Sequence, residues 1–197
     1  MLINFLKQSW LVIVSSLVFG VLVAVVHGQL AGRIGANERS VFEGAMQATF
    51  VANARSQERS TVDGEGNSVP YYLVEGPEGQ KLGYAIEIVG SGFVDKIKLL
   101  VSVGPKAEKI LGIAVLKSSE TPGYGDDIND PLWEAQFAGA AATEKLEVIT
   151  TGDVGRVDNQ IVAITGATIS SEAVASIVNK AIGILRGAVE ERSVDDK

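Results

Sequence analysis

Three kinds of hydrophobic pattern follow one another along the chain. The first is continuous. From Gln8 to Gly32 there is no Asp, Glu, Lys or Arg, and Trp10 to Val26 is apolar except at Ser15, Ser16 and Gly20. At ~1.5 Å per residue, about twenty helical residues cross a ~30 Å hydrocarbon layer. The pattern predicts a retained membrane anchor over residues 1–32, with Trp10 and His27 near the two interfaces. A cleaved leader is the competing expectation, but its apolar region is usually about 7–15 residues. Lys7 on one side and Arg33 and Arg39 on the other give the positive-inside rule no clear direction.

The second pattern is mixed. Across 33–60, Val41, Ala45, Ala48, Thr49 and Ala52 follow a helical face behind a possible cap at Ser40. This predicts a helical linker. Thr61 to Ser68 is turn chemistry.

The third pattern alternates. Tyr71–Val74 and Leu82–Val89 flank a Gly-Pro turn and read as a hairpin. Gly90-Ser91-Gly92 breaks the chain. Asp95–Val103 places Ile97, Leu99, Val101 and Val103 on one face, and Lys109–Lys117 reads as a strand buried on both faces. Leu146–Thr150 is a short strand. The last segment has Val174, Ile177, Val178, Ala181, Ile182 and Leu185 on one face of a helix ending near Glu190. The fold class predicted is α+β: one N-terminal transmembrane helix, then a domain over 61–190 with an antiparallel sheet covered by helices. Residues 191–197 read as a frayed tail.

Composition narrows the chemistry. The 197 residues carry a net charge of −7, which disfavours nucleic acid. There is no cysteine, so disulfides, thiolate metal sites and cysteine nucleophiles are excluded, and His27 is the single histidine. No catalytic residue and no metal site is assigned. Two polar stretches stand out. Thr165-Gly166-Ala167-Thr168-Ile169-Ser170-Ser171 places four hydroxyls and a glycine before the last helix, with Ser170 or Ser171 as N-cap and Glu172 in the first turn. A helix N-terminus favours an anion such as phosphate. An ordinary capped loop would show the same features. The second stretch, Glu120-Thr121-Pro122-Gly123-Tyr124-Gly125-Asp126, is a turn with two flexible points. Taken by itself it also fits a plain connection with solvated acids.

The two stretches together resemble a known pattern. Thr165–Ser171 is similar to the flavin-attachment sequence of the FMN-binding subunits of Rnf-type and Na+-translocating NADH:quinone reductase complexes. Glu120–Asp126 and its sequel Asp130-Pro131-Leu132-Trp133-Glu134-Ala135-Gln136-Phe137 resemble that family's Glu-Thr-Pro-Gly loop and following helix. Compact length and a short linker look more like the G subunit of Rnf. The resemblance implies FMN as cofactor, joined through a phosphoester to Thr168 by a flavin transferase that draws on FAD. It implies that Thr165, Gly166, Ala167 and Ser170 surround the phosphate, and that Glu120, Thr121, Gly123, Tyr124 and Gly125 approach the ring or ribityl chain. Tyr124 and Trp133 are candidates for ring packing. One position departs from the family pattern: Val162 stands where an Asp usually precedes the attachment sequence. Attached FMN, bound but unattached FMN, and no FMN are the three states this leaves.

The function so implied is a membrane-anchored electron-transfer subunit, not a stand-alone enzyme. It would relay electrons between ferredoxin and NAD chemistry in an ion-pumping complex. Its partners would be the other membrane and redox subunits, the transferase and the lipid bilayer. Its domain would lie on the outer face of the cytoplasmic membrane. The alternatives are a binding or assembly module with uncoupled or no FMN, and the FMN subunit of a related quinone reductase.

Overall fold

A computed structural model describes residues 2–51 and 53–195. The chain divides into two units, Met1–Val41 and Phe42–Lys197. The described residues of the first are helical throughout. Helix α1 runs unbroken from Leu2 to Thr49, so the expected boundary between anchor and linker at residue 32 has no counterpart in the backbone. From Ser9 onward α1 is long and apolar enough to cross a membrane, and its most apolar stretch is wholly unburied. Trp10, Leu17 and Phe19 are exposed on it. Exposed apolar side chains in this number are not tolerated by water but are expected in lipid.

In the second unit α1 ends where the Phe50 N–H donates to Met46 O at 2.9 Å and Asn53 takes a positive φ. Five strands then form one antiparallel sheet in chain order: β1 Arg55–Val62, β2 Ser68–Glu75, β3 Lys81–Ser91, β4 Lys96–Val103 and β5 Ile110–Lys117. Consecutive strands need only short turns, so each pairs with its neighbour in sequence. β1 corrects the expectation of helix up to Ser60. Its sequence, Arg-Ser-Gln-Glu-Arg-Ser-Thr-Val, has no apolar alternation because seven of its eight residues are exposed. Its register against β2, from Arg55 opposite Glu75 to Val62 opposite Ser68, is set by backbone pairing and by a hairpin turn. Asp63 caps that turn, accepting from the N–H groups of Glu65 and Asn67.

β5 also differs from expectation. Only Ile110 and Ile113 are buried, because β5 is an edge strand and one of its faces is only partly covered. In β4, by contrast, Ile97, Leu99, Val101 and Val103 are all completely buried, and Leu100 and Ser102 on the other face are buried too.

A short helix α2 (Pro131–Glu134) begins with Asp130 as N-cap, whose carboxylate accepts from the Leu132 N–H. Two three-residue strands, β6 Glu147–Ile149 and β7 Gln160–Val162, pair in parallel. Helix α3, Thr168–Asp195, then lies across β3 and β4. Val174, Val178, Ala181 and Leu185 join Ile88, Leu99 and Val101 in the main core. The approach is close: a Cβ on Gly90 of β3 would overlap Ile177 of α3. α3 continues beyond Glu190, so residues 191–195 extend the helix where a frayed tail was expected; 196–197 lie outside the described residues. The smaller cluster on the other face of the sheet gathers Phe50, Val74, Ala85 and Leu100, with Phe42 and Met46 packed on it.

Candidate functional site

α3 starts at Thr168, three or four residues earlier than the sequence caps implied. Ser170 and Ser171 are therefore inside the first turn and buried, and Glu172 falls just beyond it. The reason is a turn immediately upstream. The Ala167 N–H donates to Ile164 O at 3.0 Å, with Gly166 third in the turn at φ 82°. That conformation favours glycine. Ser171 fastens the turn to the helix: its Oγ accepts from the Ile164 N–H at 3.1 Å and donates to Ala167 O at 3.0 Å. Thr168 is left as the first helical residue, partly exposed. The first N–H groups of a helix have no intrahelical acceptor, so they are available to an anion.

The facing loop is built in the same way. The Tyr124 N–H donates to Thr121 O at 3.2 Å across Pro122 and Gly123, and Gly123 has φ 76°. Pro second and a left-handed Gly third is the signature of a type II turn. The turn presents Tyr124, which is exposed and lies against Gly166: a Cβ there would sit 3.4 Å from the Tyr124 ring. A second link is buried. Ser170 Oγ donates to Glu120 Oε2 at 2.6 Å, and Glu120 is 5% exposed.

Between the two loops is a cavity of about 410 Å³ lined by Phe93, Glu120, Thr121, Tyr124, Gly125 and the run Gly166 to Ser170. Ligand pockets usually hold about 300–1,000 Å³. Eight of the ten residues expected at the site line it. Thr165 and Gly123 instead shape the two turns from outside the lining. Phe93 and Ile169 line it and were not anticipated. The sequence signal for Phe93 was an aromatic directly after Gly-Ser-Gly, where strand alternation cannot bury it.

Trp133 is placed elsewhere. It is buried in the core, edge-on to Phe137 with ring centroids 5.2 Å apart. Its Nε1–H donates to Val162 O at 2.9 Å. Gln136 completes the clamp: the Val162 N–H donates to its Oε1 at 2.9 Å, and its Nε2 donates to Val162 O at 3.3 Å. The chain entering the Ile164–Ala167 turn is thus gripped by its backbone at Val162. Glu134, beside this clamp, accepts from the Val115 N–H at 2.9 Å, and burial pushes its carboxyl above the ordinary 4.5.

Residues 92–183 match the family described as FMN-binding domain. Over that segment the chain is similar to FMN-binding domains. The match opens one residue before Phe93 and closes within α3, so it contains both loops and the whole cavity. The lining of this segment fits a flavin. Phe93, Tyr124 and Ile169 offer apolar surface for a ring, while the Thr168 side chain and the N–H groups of the helix start offer polar groups for a phosphate.

Among curated proteins, the chain is 37% identical over 107 residues to the G subunit of the Na+-translocating ferredoxin:NAD+ oxidoreductase complex of Acetobacterium woodii, which covers 54% of this chain and 50% of that one. It is 36% identical over 124 residues to the G subunit of the ion-translocating oxidoreductase complex of Methanosarcina acetivorans, covering 62% of each. The C subunit of the Na+-translocating NADH-quinone reductase of Pasteurella multocida is 30% identical over 112 residues, 55% of this chain and 43% of that one. The chain thus spans half to three fifths of the length of the first two relatives. The fold is shared with NqrC of Shewanella oneidensis, with TM-score 0.55 and 21% identity over 70% of each chain. It is shared also with the C subunit of the Na+-translocating NADH-quinone reductase of Parabacteroides distasonis, with TM-score 0.50 and 23% identity over 64% of this chain and 62% of that one.

Proposed function

We propose that the protein is a membrane-anchored flavoprotein subunit of an Rnf-type ion-translocating complex, with FMN joined to Thr168 as a phosphothreonyl ester. The observation that carries this is the position of Thr168: a partly exposed hydroxyl at the first residue of α3, opening into the cavity between the two glycine turns. Flavin itself supplies one- and two-electron transfer; the protein binds, orients and tunes it. In this site the chain's contribution is positional. Attachment would join Thr168 Oγ1 to the flavin-side phosphorus of FAD, with AMP leaving and the hydroxyl proton released. Ser171 fixes the turn, the Trp133–Gln136 clamp fixes Val162, and the helix start stabilises the phosphate charge. The grip on residue 162 is through its backbone, which supports attachment despite the valine side chain. The soluble domain would face the outer side of the membrane, receiving and passing electrons among neighbouring subunits of the complex.

The test is a denaturing gel of full-length protein co-expressed with a flavin transferase. Wild type is expected to show a fluorescent band under ultraviolet light, and Thr168→Val none. A band that survives in Thr168→Val refutes the attachment site. A wild type with no band favours an assembly module without attached flavin.

A further inference from the structure

Phe93 is held in a way that packing within the fold does not require. Its ring is 64% exposed, in the turn between β3 and β4. Yet its backbone is tied down from below. The N–H groups of Phe93 and Val94 donate to Glu120 Oε1 at 2.9 and 3.0 Å. The other oxygen of that carboxylate takes the Ser170 hydroxyl at 2.6 Å. One buried acid therefore joins three segments: the β3–β4 turn, the Glu120–Gly125 loop and the first turn of α3. Two glycines leave room for it. A Cβ at Gly92 would collide with Oε1, and one at Gly125 would lie 2.9 Å from Oε2. Burying a carboxylate is costly unless donors satisfy it, and three do so here.

The result is an apolar ring fixed in solvent at the rim of the cavity that holds Thr168. Phe93 and Tyr124 are the two aromatic residues in its lining. Tyr124 rests on Gly166. Flat aromatic faces favour offset stacking on other rings. We propose that Phe93 is a cofactor-contacting residue that packs against the isoalloxazine ring of FMN carried at Thr168, and that Glu120 is the positioning residue that sets it there. Glu120 lines the cavity, and both its oxygens are engaged within the protein. The inference rests on the FMN function proposed above, and its test separates the two.

The experiment uses the full-length chain in detergent with flavin attached. The readouts are flavin band intensity on a denaturing gel, and emission and iodide quenching of the flavin in the folded protein. Per unit of band intensity, Phe93→Ala is expected to raise emission and iodide quenching about twofold each, as ring contact is lost. Phe93→Tyr keeps a ring at the rim and should return iodide quenching to the wild-type value. Glu120→Gln replaces a charged acceptor by a neutral one and should speed amide exchange at Phe93 and Val94 by about tenfold. Unchanged emission and quenching in Phe93→Ala, or a Tyr variant that behaves like Ala, overturns the contact while the attachment at Thr168 stands. Unchanged exchange in Glu120→Gln overturns the positioning role. A wild type without a flavin band overturns both the inference and the function beneath it.

Discussion

Ser171→Ala tests whether the Ile164–Ala167 turn is fixed by one hydroxyl. Ser171 is completely buried, and its Oγ is the acceptor for the Ile164 N–H and a donor to Ala167 O. Alanine fits the same space, so no overpacking confuses the result. Ala167 O keeps the Ser171 N–H at 3.0 Å and is not orphaned. The loss falls on the Ile164 N–H, which is partly buried. Leaving such a donor without its acceptor costs about 1–3 kcal/mol, and partial access to water places this case near 1–2 kcal/mol. For a domain of this size each kcal/mol lowers Tm by about 2–4 °C, so a fall of about 2–8 °C is expected. Thermal unfolding followed by circular dichroism reads the global effect. Amide exchange reads the local one: Ile164 should exchange about tenfold faster, since ~1.4 kcal/mol of opening free energy is a factor of ten. Unchanged Tm together with unchanged exchange at Ile164 would refute the view that Ser171 holds the turn.

Two other expectations concern the anchor and the acid beside the clamp. In intact cells, protease added from outside should cleave the domain without lysis if it faces outward; protection until lysis reverses the proposed orientation. Glu134 has its carboxyl raised by burial, so folding favours its protonated form, and that contribution is lost as pH rises above 4.5 through the folded value. Glu134→Gln keeps an oxygen for the Val115 N–H and should raise Tm at neutral pH, with the gain vanishing below pH 4.5. A gain that is equal at both pH values would assign the effect to packing instead.

The parts of the fold that the sequence made legible are those with one wet and one dry face, or no wet face at all. α1 announced itself by unbroken apolarity, and β4 by Ile97, Leu99, Val101 and Val103 at every second place. β1 was invisible because it is held by backbone pairing on an exposed edge, where no hydrophobic period is imposed. The start of α3 was misplaced for a related reason. Serines that look like caps are spent inside the first turn, one gripping Ile164 and the other Glu120. Both loops of the site could be picked out from glycine and hydroxyl spacing. Phe93 is marked only by its place after Gly-Ser-Gly; nothing in the chain near it shows that an acid 27 residues later will fix its backbone.

One last consequence follows from α3 being unbroken between Thr168 and the core. Thr168 and Val174, the first completely buried apolar residue of the helix, are six residues apart on a single rod. Each residue of an α-helix turns ~100° about its axis. A single insertion or deletion between them would swing Thr168 about a quarter turn away from Tyr124 and Glu120, even if every core contact re-formed. The polar loop Thr151–Asn159, before the turn, carries no such constraint. Length variation among proteins sharing this site should therefore gather in that loop and be forbidden in the first two turns of α3.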